Sequence, residues 1–265
     1  MSYILTTAYP IANGDTAAHY AANLALTLNL PLRIVYPYTV PVSVGEIPMP
    51  VMPVEEVRDA ANAHVADLVN DLKAAHPTLH VSADVVYGGL PDVLDDVDTA
   101  PVLVVIGNDD SEDSDAWLGS ESADILRDGR WPVLAVPHHV TFKVPQQVCL
   151  AADAATIREG LPLGSLLSLK QQLGFRLTVL HVMHNEQPVV YEGSALDAQL
   201  AGMAGYSEVS VDGAVDAAIA AFADTHGMDW LALAPHYYGF WAGLFHRSHT
   251  SRVLHLAHVP VLALH

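Results

Sequence analysis

The chain has 265 residues, with 30 Asp and Glu against 11 Lys and Arg and a net charge of −19 with His neutral. A chain this acidic repels nucleic acid and anionic membrane, and no run of about 18 apolar residues occurs that would span a bilayer. The single cysteine, Cys149, excludes an internal disulfide framework and the opening residues lack a charged leader, so a cytoplasmic protein is expected.

Residues 3–8 read as a short strand. Asn13-Gly14-Asp15-Thr16 then opens an Ala-rich helix to Leu28, with Asp15 or Thr16 as the expected N-cap. Leu32 to Tyr36 is the next strand, and the Pro-rich stretch 38–53 is a surface loop. From Val54 to Ala75 the positions Val57, Ala60, Ala61, His64, Val65, Leu68 and Leu72 form one apolar stripe, with charges opposite, as in an amphipathic helix. Val81 to Tyr87 is a third strand, and Gly88-Gly89-Leu90-Pro91-Asp92 turns into a short helix over Val93 to Val97.

A four-part pattern follows, and it occurs twice. Ala100-Pro-Val-Leu-Val-Val-Ile-Gly107 leads through a polar loop to Gly119-Ser-Glu-Ser-Ala-Asp-Ile-Leu126 and then to Trp131-Pro-Val-Leu-Ala-Val-Pro137. Much later Asp229-Trp-Leu-Ala-Leu-Ala-Pro235 leads through a polar and aromatic loop to Ser248-His-Thr-Ser-Arg-Val-Leu-His255 and then to Val259-Pro-Val-Leu-Ala-Leu-His265. Each copy reads as strand, loop, helix and strand. A repeat of this size indicates two units, 1–143 and 144–265, with His138 to Pro145 as linker.

The second unit begins with the strand Gln147 to Ala152 and Asp153. A helix over Leu161 to Leu173 closes at Gly174. A strand over Leu177 to Val182, a short helix near Ser194 to Leu200, a strand over Glu208 to Val211 and a helix from Ala214 to Thr225 complete the order. Near-continuous apolar strands alternating with helices indicate parallel sheets covered on both faces. The expected fold class is α/β, with two tandem doubly wound domains. Each has a five-stranded parallel sheet of order 3-2-1-4-5. The charge is uneven: 1–143 carries 20 acidic and 6 basic residues, and 144–265 carries 10 and 5.

In such sheets a ligand sits beyond the carboxyl ends of strands 1 and 4, and a helix N-terminus there favours phosphate. With these residues in place, the chain resembles the universal stress protein family in its tandem two-domain form. The resemblance rests on the strand-1 region, on Gly88-Gly89-Leu-Pro-Asp92 and on the repeated loop, helix and Pro-Val-Leu strand. The stretch Leu244-Phe-His-Arg-Ser-His-Thr250 is similar to a variant of tandem members from Bacteroidetes. The resemblance implies a Rossmann-like fold and paired domains that associate along their last strands, here Pro132–Val136 and Pro260–Leu264, as a pseudo-dimer within one chain. A further homodimer is compatible with it.

Nucleotide-binding members of that family carry an Asp after strand 1 and a loop of three spaced glycines ending in Ser or Thr. In the first unit Tyr9 stands at the Asp position. Gly107 keeps the first glycine, Asp110 replaces the second, and the loop is one residue short before Gly119-Ser120. It also holds Asp109, Asp110, Glu112, Asp113 and Asp115, which repel a phosphate. In the second unit Asp153, after Ala152, matches the adenine-side Asp, and Ser248 is kept. Ala234, Tyr237 and Arg247 replace the glycines, removing the close backbone approach a phosphate needs. The resemblance therefore leaves Ala152, Asp153, His236, Arg247, Ser248 and His249 as the candidate binding residues for an ATP- or AMP-like ligand.

Two metal patterns stand beside this. Asp109-x-Ser111-x-Asp113-x-Asp115 alternates oxygen ligands as a calcium loop does, but lacks the turn Gly and the closing Glu. His236, His246 and His249 could offer three imidazoles to zinc. His255 and His258 repeat the spacing further along the helix. The aromatic loop Tyr237, Tyr238, Phe240, Trp241 and Phe245 is expected to pack on the other unit, a partner chain or a small ligand. No Ser-His-Asp spacing, P-loop or zinc-hydrolase motif occurs. The expected protein is a stress-response regulatory or binding protein with degenerate nucleotide sites, no catalysis and no required cofactor. The alternatives are a slow ATPase module in the second unit and a zinc-binding protein.

Overall fold

The computed structural model describes residues 2–8, 15–39, 53–95, 99–108, 125–126, 130–183, 189–210, 214–234 and 253–265. The first unit contains β1 (Ile4–Thr7), α1 (Thr16–Leu28), β2 (Leu32–Tyr38), α2 (Val54–Ala75), β3 (Val81–Tyr87), α3 (Leu90–Asp95), β4 (Leu103–Asn108) and β5 (Val133–Pro137). The second contains β6 (Gln147–Ala152), α4 (Ala154–Glu159), α5 (Gly164–Leu173), β7 (Arg176–Met183), α6 (Ala195–Leu200), β8 (Ala204–Ser210), α7 (Val215–Thr225), β9 (Trp230–Leu233) and β10 (Val261–Ala263). Residues 253–256 form a helical turn before β10.

The strands make one 10-stranded sheet of order β3-β2-β1-β4-β5-β10-β9-β6-β7-β8. Each unit thus has the doubly wound order 3-2-1-4-5, parallel throughout, as the alternating elements predict. The two meet through β5 and β10, which pair antiparallel with Val261 opposite Ala135 and Ala263 opposite Val133. The pairing along the last strands is therefore present within the chain. Because the joint is antiparallel, the carboxyl ends of the two units' strands lie on opposite edges of the sheet.

The strands are apolar on both faces because helices cover both. One core layer holds Ile4, Ile34, Leu103, Leu134, Leu150, Trp230 and Leu262. The other holds Leu5, Val104, Ile106, Cys149, Leu180, Leu231 and Val261. Each layer runs through both units. α1 buries Ala17, Ala18, Ala21, Ala22 and Ala25, whose small side chains let the helix lie close to the sheet. α2 buries Ala61, Val65, Leu68 and Leu72. Ala60, placed on that stripe by spacing, is exposed.

Side chains lock the joint. Trp230 Nε1 donates to Tyr20 Oη at 2.7 Å, from β9 of one unit to α1 of the other. Phe142 of the linker meets the Tyr20 ring edge-on at 5.1 Å. Asn108 Nδ2, at the end of β4, donates to Leu254 O at 2.8 Å. Asp229 clamps the entry to β6, accepting from the backbone N–H of Gln146 and Gln147 at 2.7 and 2.9 Å and from Lys143 Nζ at 2.6 Å. Burial alone would raise the Asp229 pKa, but the hydrogen bonds from Lys143, Gln146 and Gln147 outweigh it and hold the carboxyl below its ordinary value.

Several boundaries differ from the expectations: β2 runs on to Tyr38, and α3 spans Leu90–Asp95 where Val93 to Val97 was expected. A separate helix, α4, precedes Leu161, and the next helix starts at Gly164. Asp153 caps α4, and Gly160 ends it at φ 85°, where a side chain would be strained. Strand β8 begins at Ala204, four residues before the expected Glu208. It is an edge strand in which Ala204 and Tyr206 are only partly buried and Glu208 is exposed, so its pattern is weak.

Candidate functional site

The strand registers superimpose the two units. In the first, Val104 pairs with Val133 and Leu5, and Leu5 with Arg33. In the second, Leu231 pairs with Val261 and Cys149, and Cys149 with Thr178. Asp153 then corresponds to Tyr9, and His181 to Tyr36.

At the carboxyl end of β6, Ala152 is fully buried and Asp153 is 3% exposed. Asp153 Oδ1 accepts the Thr156 N–H at 2.7 Å, satisfying one of the free donors in the first turn of α4. The carboxylate matched to an adenine-side Asp is thus a helix cap. Beside it, Ala152 pairs in register with His181. The His181 side chain has no exposure, and its Nδ1 lies 3.2 Å from Tyr206 Oη and 3.4 Å from Glu208 Oε2. Tyr206 Oη donates to Glu208 Oε2 at 2.9 Å. Tyr191 stacks parallel on Tyr206, with ring centroids 4.5 Å apart. Burial, reinforced by the hydrogen bond and charge of Glu208, raises the Tyr206 phenol well above its ordinary range, so it remains a neutral donor.

The first unit covers the same place differently. Tyr36 is 6% exposed and meets the His64 ring edge-on at 5.8 Å. His64 Nε2 lies 3.1 Å from Asp15 Oδ1. Asp15 occupies the N-cap position of α1, but its side chain makes no cap hydrogen bond. It joins α1 to α2 instead. The Tyr36 phenol is raised by burial and then by the Asp15 charge. At the end of β4, a Cβ on Gly107 would meet the Ala17 Cβ at 3.8 Å, an ordinary contact, so packing among the described residues does not demand glycine there.

The remaining candidates, His236, His246, Arg247, Ser248 and His249, lie outside the described residues, as do Tyr9, the acidic loop from Asp109 to Ser120 and the aromatic loop. Ala152 and Asp153 are therefore the predicted site residues that the structure places. Among the described residues, no three His, Cys, Asp or Glu side chains converge on a metal position. Cys149 is buried, and burial pushes its thiol up to about 12, so it is an inert core residue. His64, His181, Tyr206, Glu208 and Asn108 are not among the candidate site residues expected from sequence, where His64 is placed only on an apolar helix stripe. A titratable residue inside an otherwise apolar strand, such as His181 in Leu177–Val182, is the signal that could have found one of them.

No protein-family model matches the sequence, and no curated protein does. Solved structures do match. The two halves of the sheet, their shared strand order and the joint define a tandem doubly wound α/β protein. The chain is similar to a universal stress protein from Archaeoglobus fulgidus DSM 4304, at 14% identity and a TM-score of 0.68, covering 98% of this chain and 95% of that one. It is also similar to a functionally unknown protein from Pseudomonas aeruginosa PAO1, at 14% identity and a TM-score of 0.62, covering 100% and 92%. The chain therefore carries the universal stress protein fold twice, as its repeat implied. Among the described residues no helix is long and apolar enough to cross a membrane.

Proposed function

We propose that this chain is a stress-response regulatory or binding protein of the universal stress protein type, with degenerate nucleotide sites and no catalysis. The observation that carries the reading is the use made of the residues opening the two ligand loops. Asn108, directly after Gly107, is 4% exposed and holds Leu254 O of the other unit. Asp153 is spent on the first turn of α4. Both serve the fold. The acidic residues after Asn108 and the replacement of the three family glycines by Ala234, Tyr237 and Arg247 before Ser248 add to this reading. Its working surface is then a protein contact, and the buried Cys149 suits the reducing cytoplasm.

A second reading, an ATP-like ligand in the second unit, keeps one support: Asp153 sits at the carboxyl end of β6, where such a ligand would lie. Mass spectrometry of the purified protein, native and then denatured, separates the two. An empty protein whose melting midpoint ignores ATP with magnesium supports the proposal. Release of ATP, ADP or AMP on denaturation sinks it. Zinc at one equivalent, lost when His236, His246 and His249 are replaced by Ala, would move the function to a metal site.

A further inference from the structure

His138 and His139 follow β5 in a turn closed by the Val140 N–H on Pro137 O at 3.0 Å. His258 stands between the helical turn 253–256 and β10. The antiparallel joint sets these two segments side by side, because Val261 pairs with Ala135 and the register runs outward toward His138 and His258. The His138 and His139 rings lie 5.4 Å apart between centroids, and those of His139 and His258 6.0 Å apart. All three residues are exposed. Both backbones are anchored, one by the turn and the other by the bond from Asn108 to Leu254 O.

An imidazole holds zinc at about 2.0–2.1 Å from its nitrogen, so two rings sharing an ion have centroids roughly 5 to 6.5 Å apart. The His139 and His258 separation falls in that range. Among the described residues no third His, Cys, Asp or Glu joins them at one point, so the proposal rests on the two imidazoles. We propose that His139 and His258 form a site for a borderline divalent transition metal, with Cu²⁺ bound more tightly than Ni²⁺ or Zn²⁺. The ion would link the linker end of the first unit to the second across the β5–β10 joint. This site shares no residue with the zinc alternative above, and it does not depend on the proposed function.

The test is calorimetric titration of the full chain with Ni²⁺ and Cu²⁺. It uses wild type, His139→Ala, His258→Ala, and a variant with His236, His246 and His249 all changed to Ala. Each single variant is expected to weaken one binding event by at least about tenfold, while the triple variant keeps it. Circular dichroism and melting of the metal-free variants check that they fold, which these exposed positions predict. Metal should raise the midpoint of wild type and not of His258→Ala. Equal affinity and stoichiometry in wild type and both single variants would overturn the site, as would loss confined to the triple variant.

Discussion

The two units solve one problem in different ways. In the first, the carboxyl end of the second strand is roofed by α2, a helix of 22 residues, and the polar group beneath it is a phenol, Tyr36. In the second, the corresponding crossover helix α6 has 6 residues. The buried group there is an imidazole, His181, shielded by Tyr206, Glu208 and the stacked Tyr191. A long helix brings its own apolar stripe. A short one leaves the covering to side chains from the neighbouring strand, which must then satisfy one another's hydrogen bonds. The His–carboxylate pair of the first unit, His64 with Asp15, is half-exposed and lies between two helices, where it adds little to the roof.

Replacing the two histidines tests this contrast most directly. His181→Ala opens a cavity and strips a partner from Tyr206 and Glu208, and should cost about 2–4 kcal/mol in urea unfolding. His64→Ala should cost no more than about 1 kcal/mol, because a partly exposed His–carboxylate contact contributes little. Equal costs would remove the distinction between the two roofs.

The next effect concerns the entry to the second unit. Asp229→Asn should cost about 1–3 kcal/mol at neutral pH, through weakened bonds to Gln146, Gln147 and Lys143. The folded carboxyl lies below its unfolded value of about 3.9. Its contribution is therefore complete above that value and is lost as pH falls through the folded pKa. Unfolding curves from pH 6 down to 3 should show wild type and variant converging in acid. Curves that stay parallel would mean that Asp229 does not titrate as described.

Asp153→Ala removes the cap of α4 and should lower stability by about 1 kcal/mol. If the proposed function holds, it leaves ATP affinity unchanged because there is none to lose; a fall in nucleotide binding would favour the second reading. The smallest effect belongs to Gly107→Ala, expected within about 0.5 kcal/mol of wild type by thermal melting, since the new methyl makes only an ordinary contact with Ala17. A large loss would show that the glycine is held by something besides packing on α1.

The alternation of elements and the repeated Pro-Val-Leu strand were sufficient, from sequence, for the α/β class, the tandem arrangement and the 3-2-1-4-5 order. These depend on local periodicity and on the handedness of crossovers, which hold wherever such strands and helices alternate. Asp153 was legible as a position after a first strand and as a potential cap. Its actual use was decided by α4, whose 6 residues are too short to announce themselves by periodicity.

The strand β8 was half-hidden for a related reason. Its Tyr206 and Glu208 are polar groups whose partner is His181, 25 and 27 positions away in the chain. The Tyr20–Trp230 bond joins residues 210 positions apart, and Asn108–Leu254 spans 146. What the sequence alone determined was therefore the pattern of each unit and its strand order. The antiparallel joint, the partners of its buried polar groups and the meeting of His139 with His258 were decided by tertiary structure, because hydrogen-bond partners and ring neighbours are set by distances in space that no local pattern encodes.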